Sequence, residues 1–188
     1  QALLAGLPGQ AGLVHLHSLH GVESYADIHP LIALSRRVPV VLTIHDLWLL
    51  TGHCAHPLDC PGWLSGCGHC PDLERYPALP RDGTRANWRR KFRIFAQVQA
   101  HLIVPSQWVA EQVAQSPILR HLPVTVVHNP VDRRIFCPGD RLLARQRLGL
   151  PPESRILLVI AQHWSNLYKG LREGLAVINR LTDPRLYV

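Results

Sequence analysis

The stretch that most constrains this chain is Val40-Val41-Leu42-Thr43-Ile44, a β-branched and aliphatic run of strand length that breaks off in the polar pair His45–Asp46. A run this uniformly apolar suits a strand covered on both faces, which is the habit of parallel sheets. The residues before it agree. Residues 13–17 (LVHLH) alternate after a Gly- and Pro-marked segment and read as a strand. Residues 25–37 place Ile28, Leu31, Ile32, Leu34 and Ser35 on or beside one helical face, and Pro39 punctuates the return into residues 40–44. Strand, helix, strand is a βαβ unit and so predicts a parallel sheet. Open sheets of this kind build their sites at the C-terminal ends of strands. His45 and Asp46 stand there, and His15, His17 and His20 are expected to approach the same edge.

The alternation resumes after a long interruption. Residues 50–81 have no sustained period and are dense in Gly, Pro, Cys and Asp, which marks a long functional loop or one held by something. Residues 84–99 return to helical spacing, with Trp88, Phe92, Phe95 and Val98 on one face and Arg85, Arg89, Arg90, Lys91 and Arg93 assigned to the other. A strand at 101–104 stops at Pro105, and Ser106 is placed to cap a helix over 107–115. A strand at 124–127 leads to His128-Asn129-Pro130. A basic helix over 140–148 is closed by Gly149, a buried strand is expected at 155–161, and a helix over 170–180 follows Lys169. The economical division is 1–130 as an incomplete first domain with the Cys-rich insert 50–81, and 131–188 as a linker and the start of a second. Because the chain begins with Gln1 rather than Met and ends where a new strand is expected to open, it is expected to be a piece of a longer protein.

Charge and cysteine usage narrow the partners. A formal charge of +7 favours anionic ligands, whether phosphates, lipid headgroups or nucleic acid. The basic face of 84–99, backed by aromatic residues, has the composition of an interfacial helix on an anionic membrane; its ordinary alternative is a solvated face. Cys54, Cys60, Cys67 and Cys70 follow the pattern C-x5-C-x6-C-x2-C, apart from Cys137. Four thiolates suit tetrahedral zinc, and the closing C-x2-C supplies two of them from one turn. His53, His56 and His69 are substitute ligands, while reduced thiols or disulfides are the metal-free alternatives. Lys169–Gly170 opens a helix, an anion-binding corner when the ammonium and the free N–H groups act together. No G-x-x-x-x-G-K-[ST] or G-x-G-x-x-G pattern is present.

Taken in order, VVLTIHDLWLLTGHC, DCPGWLSGCGHCP, NWRRKF, LIVPSQWVAE, VHNPVDRRIF and LGLPPESRILLVIAQ followed by KG resemble the family 4 glycosyltransferases, most of all their colanic-acid and exopolysaccharide branch. The resemblance implies a GT-B α/β fold, with two Rossmann-like domains, and retaining transfer of a sugar from a nucleotide-sugar donor to a glycan or lipid-linked acceptor on the cytoplasmic side. It implies no catalytic metal, so zinc in the insert would be structural. It places the reacting sugar at His45 and the donor diphosphate at Lys169 and Gly170, with Asp46, Ser106 and Asn129 as further cleft candidates. The family's basic residue after the first strand of the second domain is replaced by Ala161-Gln162 here, and its downstream E-x7-E motif lies beyond residue 188.

Two rivals belong to other classes. A zinc-stabilised nucleic-acid-binding module accounts for the charge and the cysteines. It does not account for the run of α/β units, so no nucleic-acid partner is expected. A non-catalytic GT-B-like protein shares every feature except turnover.

Overall fold

The computed structural model describes residues 11–20, 27–160 and 169–187. The chain falls into two compact units, Gln1–Asn129 and Pro130–Val188, each treated by itself below. Ala161-Gln162 and most of the loop before Lys169 lie outside the described residues.

The first unit is built on a four-stranded parallel sheet in the order β1 (Val14–His17), β2 (Val40–Thr43), β3 (His101–Val104), β4 (Val124–Val126). Val14 pairs with Val40, Val41 with His101 and Leu102 with Val124, so the strands end along one edge. Leu42, Leu102 and Val104 are almost fully buried, as strands covered on both faces require.

Helix α1 (Leu31–Ser35) is shorter than the expected helix over 25–37. Pro30 is its N-cap. Proline disfavours the helical region for the residue before it, so the apolar periodicity upstream does not propagate as helix. Residues 21–26 are outside the described set. After β2 comes a 3₁₀ turn, Trp48–Leu50, then the insert with its short helix α2 (Gly62–Ser65). Helix α3 (Thr84–Phe95) stops four residues before the expected end at 99. Helix α4 (Gln107–Gln115) begins as expected at Ser106, whose Oγ accepts from the Val109 N–H at 3.3 Å.

The core runs from the sheet into the insert. Leu50, Ala55 and Trp63 are buried together with Phe95, Ile118 and Leu119, so the aperiodic segment is packed rather than loose. The Trp88 indole N–H donates to Trp63 O at 2.9 Å and fixes α2 against α3.

In the second unit, helix α5 (Arg141–Leu148) is capped by Asp140, whose Oδ1 accepts from Leu143 N–H at 2.7 Å. It is closed by Gly149 in the left-handed region at φ 65°. The expected buried strand over 155–161 is corrected: β5 covers only Arg155–Ile156, and Leu158 and Ile160 are 75% and 81% exposed. Its one partner among the described residues is β6 (Leu186–Tyr187). A two-stranded ribbon is too small to bury an apolar run by itself. Helix α6 (Leu171–Ile178) starts at Gly170, φ 62°.

Candidate active site

The C-terminal edge of the sheet gathers the histidines. β1 delivers His15 and His17, β2 delivers Thr43 and then His45, and the parallel register sets His17 beside Thr43. His17 Nδ1 and His45 Nε2 share a hydrogen bond at 2.9 Å, with the rings stacked 5.2 Å apart. One hydrogen serves the two nitrogens, so one ring donates and the other accepts. His15 Nε2 bonds Thr43 Oγ1 at 2.7 Å, and its ring lies 4.2 Å from that of His17. His45 is exposed, so its ring is open to solvent.

Asp46 is turned the other way. Its Oδ2 meets His20 Nε2 at 2.8 Å, with side-chain exposures of 6% for His20 and 21% for Asp46, and its Oδ1 accepts from Trp48 N–H at 2.8 Å. Burial works against the carboxylate, yet the His20 bond and the Trp48 N–H outweigh it and hold Asp46 below the usual carboxylate range. Asp46 is therefore a structural anion at the base of the turn that follows His45. The sequence placed His15, His17 and His20 near this edge, and the structure brings all three there.

Lys91 corrects the reading of α3. Its side chain is buried at 4% exposure instead of joining the basic face. Thr84, Trp88, Lys91 and Phe95 form the buried stripe, whereas Phe92 is 42% exposed and stacks on Trp88. Lys91 Nζ donates to Trp48 O at 2.5 Å and Thr51 O at 3.0 Å, and sits 3.5 Å over the Trp48 ring. Burial pushes its pKa down to about 7, although Cys67, Cys54 and Asp46 oppose the shift.

Cys54, Cys60, Cys67 and Cys70 line one cavity of about 240 Å³ in the insert. All are free thiols. Burial pushes the Cys67 thiol up to about 11, against the Gly52 N–H that donates to its Sγ at 3.2 Å. Cys54 is raised too, first by burial and then by its Cys70 and Cys60 neighbours, with Thr51 opposing. His53 Nε2 approaches Cys70 Sγ at 3.3 Å. Among the described residues, no three His, Cys, Asp or Glu side chains are gathered as they stand to hold an ion.

The remaining candidates fall in both units. Ser106 caps α4, half-buried. Asn129 is exposed at the end of the first unit, and Lys169 is exposed in the second, one residue before the α6 cap.

The chain belongs to Glycosyltransferase Family 4, whose profile matches residues 3–135. Over 109 residues, 53% of this chain, it is 32% identical to the Escherichia coli (strain K12) protein named "Putative colanic acid biosynthesis glycosyl transferase WcaC". That match spans 26% of the relative, about a quarter of its length. No solved structure matches it significantly.

Proposed function

We propose that this chain belongs to a retaining glycosyltransferase of GT-B architecture that moves a sugar from a nucleotide-sugar donor to a glycan or lipid-linked acceptor during assembly of a cell-surface polysaccharide. The observation that carries the reading is His45, exposed at the C-terminal end of β2 and held by His17 within a family 4 sequence. His45 meets the reacting sugar. Lys169 and the start of α6 supply positive charge and N–H donors for the diphosphate leaving group. The test is a panel of nucleotide sugars offered to the full-length protein with lipid-linked acceptors. Turnover of one donor with retention at the anomeric carbon is expected. No turnover, together with salt-sensitive binding to mixed DNA, would put the nucleic-acid reading in its place.

We place the enzyme at the cytoplasmic face of a membrane. Among the described residues no helix is long and apolar enough to cross one. The exposed side of α3, with Arg85, Arg89, Arg93 and the half-exposed ring of Phe92, fits an anionic lipid surface. Arg90 is set apart, paired with Asp27 at 2.5 Å. Changing Arg85, Arg89 and Arg93 to Glu is expected to abolish co-sedimentation with vesicles containing anionic phosphatidylglycerol. Unchanged binding would make this face merely solvated.

We also propose a structural zinc ion in the insert, with no catalytic metal. The support is the chemistry of the donor set, four thiols around one cavity. It would tie the two ends of the insert together and take no part in transfer. Purified protein without an affinity tag is expected to carry about one zinc per chain. Metal-free protein whose four thiols all react freely would end the idea.

A further inference from the structure

Lys91 occupies a place where charge is costly, and methionine would fill the same stripe between Trp88 and Phe95 without burying an ammonium. Among the described residues its ammonium forms no ion pair with a carboxylate. What lysine adds is a pair of hydrogen bonds, to Trp48 O and Thr51 O. Both carbonyls belong to the turn that leaves the sheet edge.

We infer that Lys91 is a positioning residue for the edge site, clamping the turn from Asp46 to Thr51 so that His45 is presented in one orientation. The contacts run without a gap. The ammonium grips the Trp48 carbonyl and lies against the Trp48 ring. The Trp48 N–H donates to Asp46 Oδ1, and Asp46 Oδ2 meets His20. The His20 ring in turn rests 5.1 Å from that of Trp48, which closes the circuit. His45 is the residue immediately before Asp46, at the mouth of this circuit. Its ring reaches the sheet through His17, so its backbone is fixed from one side and its imidazole from the other. Lys91 comes from α3, which also carries the insert: Gly68 N–H donates to Thr84 Oγ1 at 3.0 Å. The insert and the edge site are thereby joined through one buried side chain. A second role for α3 follows, separate from its exposed arginines.

This inference rests on the transferase reading for its kinetic arm only. The experiment compares wild-type full-length protein with Lys91→Met, using kcat, donor KM and the ¹⁵N resonances of the His20 and His45 rings. The expected result is a folded variant whose kcat falls about tenfold or more and whose donor KM stays within about twofold, because a misplaced reacting group lowers turnover more than donor affinity. The His20 and His45 signals should shift with it. A folded variant with wild-type kcat and unshifted histidines would overturn the inference. If Lys91→Met does not fold, Lys91→Leu, which also lacks a donor, carries the same comparison. If neither folds, Lys91 is a core residue alone and the inference fails. Should the wild type turn over no nucleotide sugar, the transferase reading is lost, yet the histidine resonances still decide whether Lys91 orders the edge.

Discussion

His45→Ala in the full-length protein is expected to lower kcat by about 100-fold or more, the range typical of losing one group that acts on the reacting centre. The fold should survive, because His45 is exposed and contributes nothing to the buried core. Its ring makes one described hydrogen bond, to His17. Removing that bond frees His17 at a surface where water replaces it, so a loss in thermal stability beyond about 1 kcal/mol is not expected. His17→Ala provides the internal comparison. It leaves the His45 ring present but unheld, and should lower kcat by less than His45→Ala. Equal and wild-type rates in both variants would move the reacting centre away from this edge.

Much of this edge was legible in the sequence. The uniformly apolar run before His45–Asp46 leaves few alternatives to a buried parallel strand, and β1 and β2 pair in the expected sense. Ser106 as a cap was equally readable, because a Ser just after a proline-ended strand has one good use for its hydroxyl. The partner of Asp46 was not. The carboxylate turns inward to His20, 26 residues away, and to the N–H two residues on, a pairing that sequence adjacency does not show. Lys91 was misread for a different reason. Grouping it with its neighbouring arginines follows charge and ignores phase: Thr84, Trp88, Lys91 and Phe95 fall at i, i+4, i+7 and i+11, the stripe that α3 buries. That spacing held the signal. The expected strand at 155–161 failed on the opposite ground, since an apolar run becomes a buried strand only where other elements cover it. Composition alone supplies no cover, and Leu158 and Ile160 stand exposed.

Gly52→Ala is expected to destabilise the first unit by about 3 kcal/mol, near the upper end for forcing atoms into a filled space. A Cβ at this position would lie 2.6 Å from Thr84 O, 2.7 Å from Thr84 Cβ and 2.9 Å from Thr84 Cα. Two of these atoms are backbone in the first turn of α3, so they cannot swing aside as the tip of a long side chain would. Either the helix start or the insert must move. Movement of the helix strains the Asp82 carboxylate, which accepts from both the Thr84 N–H at 2.9 Å and the Thr84 hydroxyl at 2.7 Å. Movement of the insert pulls on Thr51, whose carbonyl accepts from Lys91, and on the Gly52 N–H to Cys67 bond. The same methyl group therefore weakens the packing of the insert and the clamp beneath Trp48 together. Denaturant unfolding should show a lower midpoint with little change in slope, and kcat should fall even well below the melting temperature. If Gly52→Ala instead unfolded at the wild-type midpoint, the close approach of the insert to α3 would be wrong. The route from Lys91 to the edge site would then lose its anchor.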